Sequence, residues 1–451
     1  MKKKIVSVLI LVATGTTLLA GCGNRNNLGT ESDVADTSEE EGKVVNIYCW
    51  NDEFKQIYEV YAKDLEEKHG VEVNFVIISS DNNAYQINLD EALEEQDEAI
   101  DDDKVDMFLI EADYAGKYIK SDYVLDVVSD VGLTEDDLKD QYNYTKEIVS
   151  DNGVQKATTW QATPGLFAYR RSIAKQVLGT DDPKQVQEKL SSWEGFDQVA
   201  QQMHDNGYYM LSGYDDSYRT FSNNVSSPWV KDGKIEIDPS IEKWIEQSKQ
   251  YADNNYSNRT TLWSPQWSLD QGPDGKVFGF FYSTWGINFT LMGNSLADSS
   301  APEEKGNGAY GDYAVCEGPQ AYYWGGTWMC AAKGSDNIPF VRDLMYRLSC
   351  DADTMKQITE DTQDYTNNQS AMEELAASDY SSDFLGGQNH IALFAEAAKK
   401  IDMSNTTDYD KDCNEQIQKA FHPYFDGDIT YDEALQDFYN RMKALHPELS
   451  E

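Results

Sequence analysis

Basic residues are scarce in this chain: 37 lysines and arginines stand against 80 aspartates and glutamates, a formal net charge of −43. So negative a surface repels phosphate backbones and anionic lipid, which excludes nucleic acid as a partner and docking of the folded body on a membrane face. Histidines number only five and are spread apart, and no C-x-x-C pair occurs, so zinc has no ligand spacing to use. Apart from Cys22, the cysteines are Cys49, Cys316, Cys330, Cys350 and Cys413, an odd set that rules out a complete disulfide framework. Buried free thiols are expected, with a Cys316–Cys330 bridge left open. Asp408, Asp410 and Asp412 imitate three positions of a calcium loop, but Cys413 takes the glycine position and Lys419 the bidentate acid. There is no nucleophile elbow, phosphate loop, metal motif or internal repeat. Nothing implies a cofactor.

Long apolar runs are equally rare, and the one that exists opens the chain. Met1-Lys2-Lys3-Lys4 precedes an apolar stretch from Ile5 to Ala20, shorter than the roughly 20 residues of a spanning helix and laid out like a secretory signal. Leu19-Ala20-Gly21-Cys22 resembles a bacterial lipobox, in which cleavage precedes the cysteine and its sulfur takes a diacylglycerol. Residues 1–21 are therefore read as signal peptide and Cys22 as the lipidation site. Acyl chains add about 0.8 kcal/mol per buried methylene, so several anchor stably. Residues 22–42 are polar and acidic without an aromatic, a composition unable to order itself, and read as a flexible tether.

The remainder is too long for one core, which stops growing near roughly 250–300 residues. Val44–Cys49 reads as a strand. A helix carrying Phe54, Ile57, Tyr58, Tyr61 and Leu65 on one face follows and stops at Gly70. A strand over 71–78, a helix over 89–101 and a strand over 105–110 complete a parallel α/β pattern. Similar units are expected later, with strands at 166–169 and 277–282. Ser191 and Glu194 have capping-box spacing, as do Thr430 and Glu433 before a final amphipathic helix. Asp232-Gly233 marks a hairpin over 229–238.

Ligands of open α/β sheets bind beyond the carboxyl ends of the strands. That rule selects Trp50-Asn51-Asp52-Glu53, Glu111-Ala112-Asp113-Tyr114, Tyr282-Ser283-Thr284-Trp285 and the stretch from Tyr322 through Trp324-Gly325-Gly326 to Trp328. Each joins an aromatic face to a short polar group, the combination a pyranose ring asks for. Aromatics make up 12% of the chain and tryptophans number ten, which favours an oligosaccharide over a monosaccharide. A stacked indole losing ~100 Å² of apolar surface contributes about 2.5 kcal/mol. Trp193 and Trp244 sit on amphipathic helices and read as packing, whereas core and cleft rim are both open to Trp263 and Trp267.

These segments, in this order, resemble the carbohydrate-specific solute-binding proteins of ABC importers, the group that includes maltose-binding protein. Val45-Asn46-Ile47-Tyr48-Cys49-Trp50 is similar to their first strand, and Asp106-Met107-Phe108-Leu109-Ile110-Glu111-Ala112-Asp113 to the segment whose last aspartate holds sugar hydroxyls. Thr158 to Arg170 resembles the crossing into the second lobe, with Arg170 departing from the usual asparagine. Phe280 to Trp285 resembles the corner with a sugar-stacking tryptophan, and Phe384 to Asn389 a late loop. The resemblance implies a type II periplasmic-binding-protein-like α/β fold with two lobes joined by a multi-crossing hinge. Lobe 1 is expected over 43–158 and 320–365, lobe 2 over 159–319 and 366–451. It implies a binder and not an enzyme: a monomer on the extracytoplasmic face of the membrane that passes a sugar to importer permease subunits. The expected ligand-binding set is Trp50, Asn51, Glu53, Asp113, Trp160, Tyr282, Trp285, Trp324, Gly325 and Gly326. A secreted glycoside hydrolase, or a receptor for a cation such as a polyamine, remains the alternative.

Overall fold

The computed structural model describes residues 42–450; the signal segment and Cys22 lie outside the described residues. The strands that position the site are β1 (Val44–Cys49), β2 (Glu72–Ile77), β3 (Val105–Glu111), β4 (Gly165–Arg170), β5 (Leu211–Gly213), β6 (Ser257–Thr260), β7 (Gly279–Ser283), β8 (Tyr313–Cys316) and β9 (Thr327–Ala331).

In the first sheet β1 lies between parallel β2 and β3, and β9 adds antiparallel to β3. Alternation sends Val45, Ile47, Cys49, Met107, Leu109 and Met329 to one face, where the helices Glu53–Tyr61, Ile338–Ser349 and Ala352–Thr362 cover them. Phe108, Ile110, Trp328 and Cys330 take the other face, under Tyr85, Leu89 and Leu93 of the helix Ala84–Glu94. Both faces are covered over β1, β3 and β9, so those strands read as nearly unbroken apolar runs, whereas the edge strand β2 is partly exposed.

The second sheet has β4 at its centre, antiparallel to both β7 and β8. The parallel pattern expected in this half is reduced, among the described residues, to the pair β5–β6 and isolated bridges such as Tyr209 to Val277. Phe280 and Tyr282 of β7 point into one core and Phe281 into another.

Three stretches between the sheets run side by side: Thr158 bridges Met329, Pro164 bridges Tyr323, and Gln161 bridges Thr366. Gly165 is required there, because a Cβ would sit 2.0 Å from the Tyr322 ring.

Local expectations held where the chemistry was local. Thr430 and Glu433 form a reciprocal capping box, and Asp232 and Gly233 turn the hairpin at φ 51° and 76°. The first helix breaks into Glu53–Tyr61 and Asp64–His69, with Gly70 in the left-handed region closing the second. The helix expected at 89–101 instead spans Ala84–Glu94. Past its end the buried Gln96 side chain donates to the Val105 carbonyl at 2.8 Å and accepts from the Val105 N–H at 2.9 Å, which fastens the chain to the start of β3. The cap before Trp193 is Ser192, whose hydroxyl accepts from Gly195 N–H; Ser191 ends the preceding helix. All five cysteines among the described residues are free, and burial raises the Cys49 thiol to about 12.

Candidate functional site

The aromatic part of the site stands where β7 ends. Its last residue, Ser283, leads into a helical turn, Thr284–Gly286, and then a π-helical turn, Ile287–Met292, a form that often marks functional positions. Trp285 is half-buried on this corner. Its Nε1 donates to the Trp324 carbonyl at 3.1 Å, its ring meets Trp324 edge-on at 5.4 Å, and it lies nearly parallel to Trp263 at 6.1 Å. The glycine pair makes this possible. Gly325 has φ +72° and would place a Cβ 3.2 Å from Trp285 Nε1; Gly326, at φ +108°, would place one 3.0 Å from the Trp328 ring. The pair thus serves close packing of two indoles.

A polar group lies beside it. The Gln161 amide donates to Glu53 Oε1 at 2.9 Å and to Asp364 Oδ2 at 3.1 Å, and Thr284 neighbours Asp364. Asn51 Oδ1 accepts from the Glu53 N–H at 3.1 Å. Burial, with the charge of Asp364 adding to it, raises the Glu53 carboxyl to about 7. The Gln161 hydrogen bond favours the charged form, but burial and Asp364 outweigh it.

A third group borders a polar cavity of about 590 Å³, walled by 112–120 on one side and by Arg219, Ser222, Asn223 and the stretch 402–414 on the other. Arg219, on the helix Tyr218–Ser222, grips Asp113 through both nitrogens at 2.8 and 2.6 Å. Burial works to raise Asp113, but Arg219 outweighs it and holds that carboxyl below its ordinary range. Burial, then the charge of Asp113, raises neighbouring Glu111 to about 8. Trp50 is half-buried, edge-on to Tyr85 and Tyr114 at 5.6 and 6.4 Å.

Two of the expected residues belong to the interior. Trp160 is 1% exposed and packs on Phe54 in the core of the first sheet. Tyr282 is fully buried, its hydroxyl donating to Gln271 at 3.0 Å; strand alternation turns it away from the corner that Trp285 occupies. Gln161, Arg219 and Asp364 escaped the sequence reading. Asp113 and Arg219 are 106 residues apart, and no local pattern joins them.

Residues 60–385 match the family described as bacterial extracellular solute-binding protein. The chain belongs to that family. Its extracytoplasmic place follows, and among the described residues no helix is long and apolar enough to cross a membrane. No curated protein matches the sequence. Solved structures do, in fold. A crystal structure described as extracellular solute-binding protein family 1 aligns with TM-score 0.71 at 14% identity, over 89% of this chain and 100% of that one. The ABC-transporter-associated binding protein of B. animalis subsp. lactis Bl-04, in complex with β-1,6-galactobiose, aligns with TM-score 0.66 at 19% identity, over 90% of this chain and 98% of that one. A Staphylococcus aureus solute-binding protein in complex with maltose gives 0.59 at 17%, over 91% and 100%. The fold is therefore the two-lobed α/β fold of these solute-binding proteins.

Proposed function

We propose that this solute-binding protein captures a saccharide between its lobes and delivers it to an ABC importer. The observation that carries the reading is the presentation of Trp285: a half-buried indole fixed by its own N–H to the Trp324 carbonyl, beside the acceptor pair Glu53 and Asp364. A pyranose stacks its C–H face on such a ring and offers hydroxyls to such acceptors. The complexes of the fold relatives with galactobiose and maltose support the same ligand class. Asp113, Trp50, Asn51 and Trp324 complete the proposed site.

Lobe 1 is assigned to 43–158 and 320–365, lobe 2 to 159–319 and 366–451, with the three adjoining stretches as hinge. A ligand touching both lobes favours the closed form by contacts that the open form lacks. Cys22 carries the lipid that keeps the receptor beside its importer. Calorimetric titration with a saccharide panel, repeated on Trp285→Ala, tests the reading: binding by the parent protein and its loss in the variant are expected.

A further inference from the structure

Trp263 is an aromatic that packing does not account for. Its side chain is large and apolar, yet 54% of it is exposed, and its backbone sits at φ +66°. It precedes Ser264 in a turn closed by the Ser264 N–H donating to the Thr261 carbonyl at 3.1 Å. The third position of such a turn, when φ is positive, is where glycine is favoured, and a bulky L residue there is strained. The next helix, Pro265–Asp270, does not need the indole, because Ser264 is its cap. Strain retained on an exposed residue points to a use.

The turn fixes where the ring lies. Trp263 is tilted only 21° from Trp285 with centroids 6.1 Å apart, and it is 5.2 Å from Trp267, which is anchored in the core by its Nε1 donating to Asp216 at 3.1 Å. No sugar ring fits between two near-parallel indoles at that separation. Trp263 instead leaves about half of its surface open beside the Trp285 ring.

We infer that Trp263 is an outer stacking platform that continues the Trp285 face, so that the ligand is a saccharide of two or more rings with its second ring on Trp263. This rests on the sugar-receptor reading. Trp263→Gly removes the ring and relieves the positive φ, so the unliganded melting temperature should hold or rise. Affinities of parent and variant are measured by calorimetry for glucose, galactose, maltose and β-1,6-galactobiose. The expected result is a disaccharide bound more tightly than its monosaccharide by the parent, a loss of about tenfold or more for that disaccharide in Trp263→Gly, little change for the monosaccharide, and recovery in Trp263→Tyr. Equal losses for mono- and disaccharide, or no loss for either, overturn the inference while leaving the sugar reading intact. A parent protein that binds none of the four overturns both.

Discussion

Arg219 holds Asp113 in a two-pronged ion pair, with Nη1 2.8 Å from Oδ1 and Nη2 2.6 Å from Oδ2. Asp113 leaves the carboxyl end of β3 in the first sheet, and Arg219 follows β5 beyond the second, so the pair fastens two parts of the fold that local structure does not join. Each side chain keeps only about a fifth of its exposure, 20% and 21%, which makes the contact stronger than a solvated surface pair.

Removing one partner should therefore cost more than removing both. Arg219→Met leaves Asp113 enclosed without its counter-charge and is expected to lower stability by about 2 kcal/mol. The double variant Arg219→Met/Asp113→Asn should recover part of that loss, as read from urea denaturation of the two singles and the double. Additive losses would show that the pair contributes nothing as a pair.

Stability should fall between pH 5 and pH 8. Glu53 and Asp216 are both raised to about 7 and Asp106 to about 6, burial being the largest cause in each. Such groups bind a proton more tightly folded than unfolded, so their contribution is complete below the ordinary carboxyl range and is lost as pH rises through about 6–7. Asp113, lowered by Arg219, acts in the opposite sense only at more acidic pH, and His390, lowered by burial to about 4, offsets part of the decline up to about pH 6.5. The melting temperature of the parent protein should decline across this window, and Glu53→Gln should flatten the decline. A parent melting temperature that climbs toward pH 8 would contradict the account.

Two tryptophans that look alike in sequence should separate cleanly. Trp160→Ala empties a packed core and is expected to cost about 3–5 kcal/mol. Trp285→Ala removes a half-buried ring and one hydrogen bond, and should cost about 1 kcal/mol while abolishing ligand-induced stabilisation. Thermal denaturation with and without saccharide distinguishes them.

That pair also shows what could be read in the chain. β1 and β3 were legible because both faces of the first sheet are covered and nearly every position is apolar. Thr430 with Glu433, and Asp232 with Gly233, were legible because their chemistry is complete within four residues. Trp285 stood out because a strand and a helix meet there. Trp160 and Tyr282 were misplaced for a physical reason: cores and sugar clefts both favour aromatic rings, and only the neighbours brought in by folding, Phe54 for one and Gln271 for the other, decide between them. Arg219 and Asp364 gave no signal, since their partners are distant in the chain and their residue types are ordinary on any surface.

The lipid anchor proposed at Cys22 has its own test. Cys22→Ser should release the protein from the membrane fraction into the soluble one, and metabolic labelling with a fatty-acid analogue should mark the parent and leave the variant unmarked. Label retained by Cys22→Ser would refute the anchor at this position.

The central claim is capture without chemistry, and calorimetric titration of the purified protein with maltose and β-1,6-galactobiose, followed by recovery of the sugar, addresses it most directly. Saturable binding of at least one saccharide is expected, one molecule per chain, recovered unaltered. At ~100 times its dissociation constant it should stabilise the fold by about 2.7 kcal/mol. A sugar consumed at catalytic rates, or no saccharide bound at all, would contradict it.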